Sequence, residues 1–229
     1  MSDLKIKNFA AICVGGLLSF ASVAGPATPR ETPDVALLEV LRSAVGTMYV
    51  IPHTDSADGV INACGLEFAA LQRYNSSAPE SYVKLVGSFY LRSAPQTGLG
   101  YMLKMGLFDP LGGPSLPATR PANAFIRAPN GKAPKNSVRL DGESGFALYA
   151  GLFDADVINA YRAIVQSRKL EVGFNREAGG RDVTSILDLT VESTQWVDGK
   201  AKRKHSDAAV DQFVECSSTL LDEVEANLN

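Results

Sequence analysis

Histidine occurs only at positions 53 and 205, which limits metal and triad chemistry from the outset. His53 and Asp55, followed by Asp58 and Gly59, form the most chemistry-capable cluster in the chain. On an extended segment a His-x-Asp pair offers two ligands to one cation. That arrangement would suit a small metal-assisted hydrolase. The same stretch is rich in turn formers, so a solvated turn between two strands is the competing reading. A second cluster lies near the carboxyl end. Lys200, Lys202, Arg203, Lys204 and His205 place five cationic or titratable groups within six residues. Such a run could meet anionic lipid, lipopolysaccharide or peptidoglycan phosphates. Trp196, the single tryptophan, stands beside it, and an indole next to cations suits glycan or partner contacts. The competing reading is a solvated loop between a strand and the last helix, with Trp196 on the edge of the core.

Other reaction signatures are missing or misplaced. Ser81 and Lys84 have a Ser-x-x-Lys spacing, but Ser-Asp-Asn and Lys-Thr-Gly do not occur and the segment reads as strand. Gly-x-Ser-x-Gly is absent, which removes the nucleophile elbow of α/β-hydrolases. Gly98 and Gly100 lack the third glycine of a dinucleotide loop, and no phosphate-binding Gly-x-x-x-x-Gly-Lys exists. No cofactor is implied. Twenty-two basic residues against 25 acidic ones give a net charge of −3, which argues against a dedicated nucleic-acid binder. With 229 residues, 45% hydrophobic and 21% charged, the chain has the composition of one ordinary globular domain.

The amino-terminal residues give an address. Lys5 and Lys7 precede an uncharged run from Phe9 to Ala24 that closes on Ser22, Val23 and Ala24. Positive charge followed by an apolar run and small residues is the pattern of a secretory signal peptide, residues 1–24, cleaved after Ala24. The run is short for a membrane anchor and is interrupted by Gly15 and Gly16. Ile12 before Cys13 disfavours a lipid anchor. After signal removal no membrane-spanning segment is expected. Three cysteines then reduce to Cys64 and Cys216. Two cysteines in an exported chain most often pair, and here the bond would tie the first third of the chain to the last helix. Two buried free thiols are the alternative.

The elements that must position these groups follow from periodicity. Residues 25–33 are a Pro-rich leader. Thr32, Pro33 and Asp34 start a helix with Val35, Leu38, Leu41 and Val45 as its apolar stripe and Gly46 as its terminator. A short strand at 47–51 follows, then three β segments at 60–74, 82–92 and 99–108. The first of these is also readable as helix over 66–73. Gly65, Gly87 and Gly106, one inside each segment, predict bulges and a strongly curved sheet. Residues 109–123 carry four prolines and two glycines and form one long loop, or a linker between two β-rich halves. Strands at 124–128, 137–140 and 146–151 precede a helix from Asp154 or Asp156 to Ser167. A hairpin over 169–175 and 184–191 comes next, and a closing helix begins at Ser206 or Asp207. The expected fold over 25–229 is a single α+β domain: an antiparallel, strongly curved sheet with two or three packed helices.

Phe125, Ile126 and Arg127, the segment Asp156 to Arg162, the segment Leu170 to Phe174, and Leu187 to Thr190 resemble the ordering of elements in the periplasmic invasion-associated locus B family. The stretch, 124–191, covers under a third of the chain. The cysteines that family carries around its second strand are missing, and no functional residue transfers. The resemblance implies an envelope location. The reading that results is an exported, non-enzymatic binding or envelope-accessory module, periplasmic or secreted, acting on an envelope component or partner protein. A small periplasmic hydrolase and a secreted effector are the alternatives.

Overall fold

The period-two alternation after Asp58 folds as a long antiparallel meander. The computed structural model describes residues 35–74, 81–94, 98–111, 117–129, 131, 138–140 and 144–228. The expected signal peptide, the Pro-rich leader and the helix start at Thr32, Pro33 and Asp34 lie outside the described residues. Helix α1 (Val35–Ala44) opens the described chain, followed by β1 (Gly46–Ala57), β2 (Val60–Arg73), β3 (Tyr82–Ala94) and β4 (Gly98–Phe108). Next come β5 (Asn123–Arg127), β6 (Val138–Leu140), β7 (Phe146–Leu152) and helix α2 (Ala155–Ser167). Strands β8 (Lys169–Asn175), β9 (Val183–Asp188), β10 (Val191–Val197) and β11 (Lys200–His205) lead into helix α3 (Ala208–Leu228).

The main sheet has six strands in the order β1-β2-β3-β4-β7-β6, each neighbour antiparallel. Strands from before and after the 109–123 loop therefore hydrogen-bond into one sheet. A second sheet runs β5-β8-β9, and β10 and β11 form a hairpin of their own. The α+β class and the antiparallel pairing agree with the sequence. The sheet is open rather than closed, and it is not strongly curved.

The interior glycines explain that difference. No register shift interrupts β2–β3 or β3–β4, so Gly65, Gly87 and Gly106 make no bulge in those ladders. Each stands opposite, or one strand from, an aromatic ring instead. Gly65 pairs with Tyr90, Gly87 with Phe68 and Gly106 with Phe146; a Cβ on Gly65 or Gly106 would enter that ring's space, and one on Gly87 would strike the Lys104 carbonyl first and crowd the Phe68 ring. Gly173 and Phe125 repeat the pattern in the second sheet. The rings lie down on the space a side chain would fill, which restores the packing that glycine removes from a strand.

Segment 66–73 is strand, although its composition favours helix. Leu66, Phe68 and Ala70 point into the core opposite Phe89, Gly87 and Leu85, and that burial outweighs propensity. The inner face of the main sheet is covered by α3 through Val210, Phe213 and Leu220, all buried. Helix α2 seats Val157, Ala160 and Ile164 in the same core with Ile126, Val172 and Phe174 of the second sheet. Asp154 caps α2, its carboxylate accepting from the amides of Asp156 and Val157 at 3.1 Å each. Helix α1 buries only its last turn: Leu41 and Ala44 meet Leu71 and Tyr82, while Val35 and Val45, expected on the apolar stripe, are exposed.

Candidate binding surface

Cys64 on β2 and Cys216 on α3 form a disulfide, with Cα atoms 5.8 Å apart. It is buried, at 0% and 7% relative exposure. Thr54 on β1 donates its hydroxyl to Cys216 Sγ at 3.3 Å. The bond joins the meander to the closing helix, as the sequence implied.

His53 and Asp55 lie within β1, which continues to Ala57. The solvated-turn reading of these residues is thereby corrected: only Asp58 and Gly59 turn, at φ of 54° and 82°. Two successive left-handed residues match the twist of an antiparallel pair, so the hairpin reverses in two residues and leaves its flanks extended. His53 and Asp55 share the outer face of the sheet. The imidazole meets the Tyr90 ring edge-on, with centroids 5.6 Å apart. Tyr90 donates its hydroxyl to Glu67 Oε1 at 3.3 Å. Burial, then the Glu67 charge and this hydrogen bond, push the phenol up to about 12. Burial and the same carboxylate also raise the Tyr49 phenol. Among the described residues no group of three or more His, Cys, Asp or Glu side chains could hold a metal ion. Ser81 and Lys84, three apart at the start of β3, project to opposite faces.

The basic segment is strand β11, not a loop. It pairs with β10 around Asp198 and Gly199, at φ of 51° and 72°. Strand alternation divides its cations into two sets. Arg203 faces the body. Its Nε donates to the Thr47 carbonyl at 2.7 Å, and its Nη2 donates to the carbonyls of Ala44 at 2.8 Å and Val45 at 2.9 Å. These are the acceptors left open where α1 ends, so the guanidinium acts as a carboxyl-terminal cap. Ala201 on the same side donates its amide to Ser43 Oγ at 3.1 Å. Arg203 is thus committed to backbone carbonyls of the body.

Lys200, Lys202 and Lys204 face the other way and are exposed. Lys204 pairs with Glu192 at 2.8 Å. Lys200 and Lys202 have no carboxylate partner among the described residues. Across the strand from them stand Val197 and Gln195. Trp196 is 49% exposed and Val197 44%, both beside the turn. A Cβ on Gly199 would meet nothing within 4 Å.

Three polar clusters had no signal in spacing or composition. Thr190 donates its hydroxyl to Asp188 at 2.7 Å and lies 2.8 Å from His205 Nδ1. Through these two contacts Thr190 ties the corner between β9 and β11. Arg127 on β5 forms an ion pair with the buried Glu171 of β8. The hydrogen bond to Glu171 is the main cause of a raised Arg127 pKa. Tyr161 of α2 and Ser217 of α3 share a hydrogen bond of 3.0 Å. Each joins residues distant in sequence, so only the tertiary fold reveals it. A recess of about 230 Å³ opens between β1, β10 and the start of α3, lined by Ile51, Pro52, Glu192, Ser206 and Gln212 among others.

The chain matches no family model, no curated protein and no solved structure.

Proposed function

We propose that this chain is an exported, non-enzymatic binding module of the cell envelope, with the β10–β11 hairpin as its contact surface. The observation that carries this reading is the buried Cys64–Cys216 disulfide, since cystines persist in oxidising compartments and are rare where thiols are kept reduced. The charged and apolar pattern of residues 1–24 supports the same address, as does the resemblance of residues 124–191 to a periplasmic family. Among the described residues no helix is long and apolar enough to cross a membrane.

The test is mass spectrometry of native material alkylated without reductant, with sequencing of its amino terminus. A chain beginning at Gly25, with neither Cys64 nor Cys216 alkylated, is the expected result. An intact Met1 with both thiols alkylated would overturn the proposal.

A further inference from the structure

We infer that the tip of the β10–β11 hairpin docks on an anionic lipid surface. This deepens the function proposed above by naming what the contact surface meets. Four cations of the hairpin oppose two acids, Glu192 and Asp198, in a chain whose net charge is −3. One cation, Arg203, is committed to backbone carbonyls, and Lys204 is paired with Glu192. What faces outward near the tip is Lys200 and Lys202.

Val197, across the strand from Lys200, shares the face of these lysines, and Trp196, across from Ala201, lies on the opposite face beside the turn; both expose large apolar surface. Next to the turn, an aliphatic side chain among lysines on one face and an indole on the other match the boundary between headgroups and acyl chains for a tip that enters end-on. The ring settles in the interfacial layer while the ammonium groups remain among the phosphates. The hairpin is a separate two-stranded unit, and its turn meets no neighbour at Gly199. Asp198 at the turn opposes the field, which supplies an internal control. Its left-handed φ of 51° is one that asparagine tolerates, so Asp198→Asn removes the charge and leaves the turn.

Trp196 is the single tryptophan, so its emission reports on this hairpin alone, whatever another part of the chain does. The experiment titrates the purified full chain with vesicles of phosphatidylglycerol and phosphatidylcholine, and with pure phosphatidylcholine vesicles. Anionic vesicles are expected to shift Trp196 emission to the blue, and neutral vesicles to leave it unchanged. At roughly fivefold per lysine near such a surface, Lys200→Gln with Lys202→Gln should weaken partitioning roughly 30-fold. Asp198→Asn should strengthen it several-fold, and molar salt should abolish it.

An absent shift with anionic vesicles, an equal shift with neutral ones, or partitioning untouched by the lysine double variant each overturns the inference. So does soluble inorganic polyphosphate eliciting the same response as the vesicles, since that would make the site a receptor for free polyanions. The vesicle titration does not depend on the compartment of the native chain. A negative result there, with the thiol and amino-terminal test positive, refutes the docking and leaves the export intact.

Discussion

Removing the Cys64–Cys216 bond, by substituting both residues with alanine, should lower the stability of this fold by several kcal/mol. The bond closes a sequence separation of 152 residues. In the chain-entropy treatment a loop of that length restricts the unfolded ensemble by about 5 kcal/mol. Typical domains are stable by about 5–15 kcal/mol in total, so the loss removes a large fraction of the folding free energy. Urea unfolding followed by Trp196 emission and far-ultraviolet circular dichroism gives the reading. With a slope of about 2 kcal/mol per molar urea, the midpoint should fall by roughly 2.5 M. Hydrogen exchange should locate the weakening first in α3, whose covalent tie to β2 is the one removed. A double variant unfolding within a few tenths of a molar of the parent would refute the reasoning, because it would mean that the closure of the chain contributes nothing to stability.

Arg203→Ala should lower stability by about 2–3 kcal/mol, since it strips a charged donor from the carbonyls of Ala44, Val45 and Thr47, and amides of residues 41–48 should exchange faster. Lysine at 203, lacking the planar fork, should recover only part of this, and Lys202→Ala should stay within about 0.5 kcal/mol; equal effects at 202 and 203 would show that strand parity does not separate them. Phenolate absorbance should place Tyr90 near 12, and Glu67→Gln should bring it down. Because the raised value favours the neutral phenol in the fold, its contribution is complete below pH 10 and is lost as pH rises from 10 to about 12; a Tyr90 titrating at 10 would contradict this. Gly173→Ala should destabilise by about 1–3 kcal/mol through collision with the Phe125 ring, and the combination with Phe125→Ala should cost less than the sum of the two single changes.

Sequence periodicity located the meander, the two later helices and the disulfide because each rests on local alternation or on a count. Val83, Leu85, Phe89 and Leu91 fall on one face of β3 for the same reason that they alternate in the chain. The hairpin at 191–205 had no such signal. Neither strand has a buried face beyond Val191, so nothing apolar recurs at every second position, and a run of lysines reads as loop. The decisive cue was Asp198-Gly199, the same dipeptide that reverses β1 into β2 at Asp58-Gly59. The interior glycines misled in the other direction. A glycine in a strand signals either a bulge or a ring lying across it, and only the residue opposite decides between them. Gly65 stands opposite Tyr90, Gly87 opposite Phe68 and Gly106 opposite Phe146, pairings that depend on register and are invisible in the linear order.

The division of the basic cluster follows from the strand it occupies. Had residues 200–205 been a loop, five cationic or titratable groups would share one solvated environment, and each would weigh alike in any contact with an anion. A strand assigns alternate residues to opposite sides, so the odd member, Arg203, turns toward the end of α1 and the even members turn outward. The same arginine that holds the hairpin against the body therefore fixes the direction in which Lys200 and Lys202 point. Asp188 ties in at the other end, its amide donating to Thr47 Oγ1 at 2.7 Å, and Thr194 donates its hydroxyl to the Met48 carbonyl at 2.7 Å. These contacts fasten the base of the hairpin to β1 and leave the four residues around Asp198-Gly199 extended into solvent. A rigid base with a free apolar and cationic tip is the form a docking element takes when orientation matters, because ordering the tip on a surface then costs little further conformational entropy.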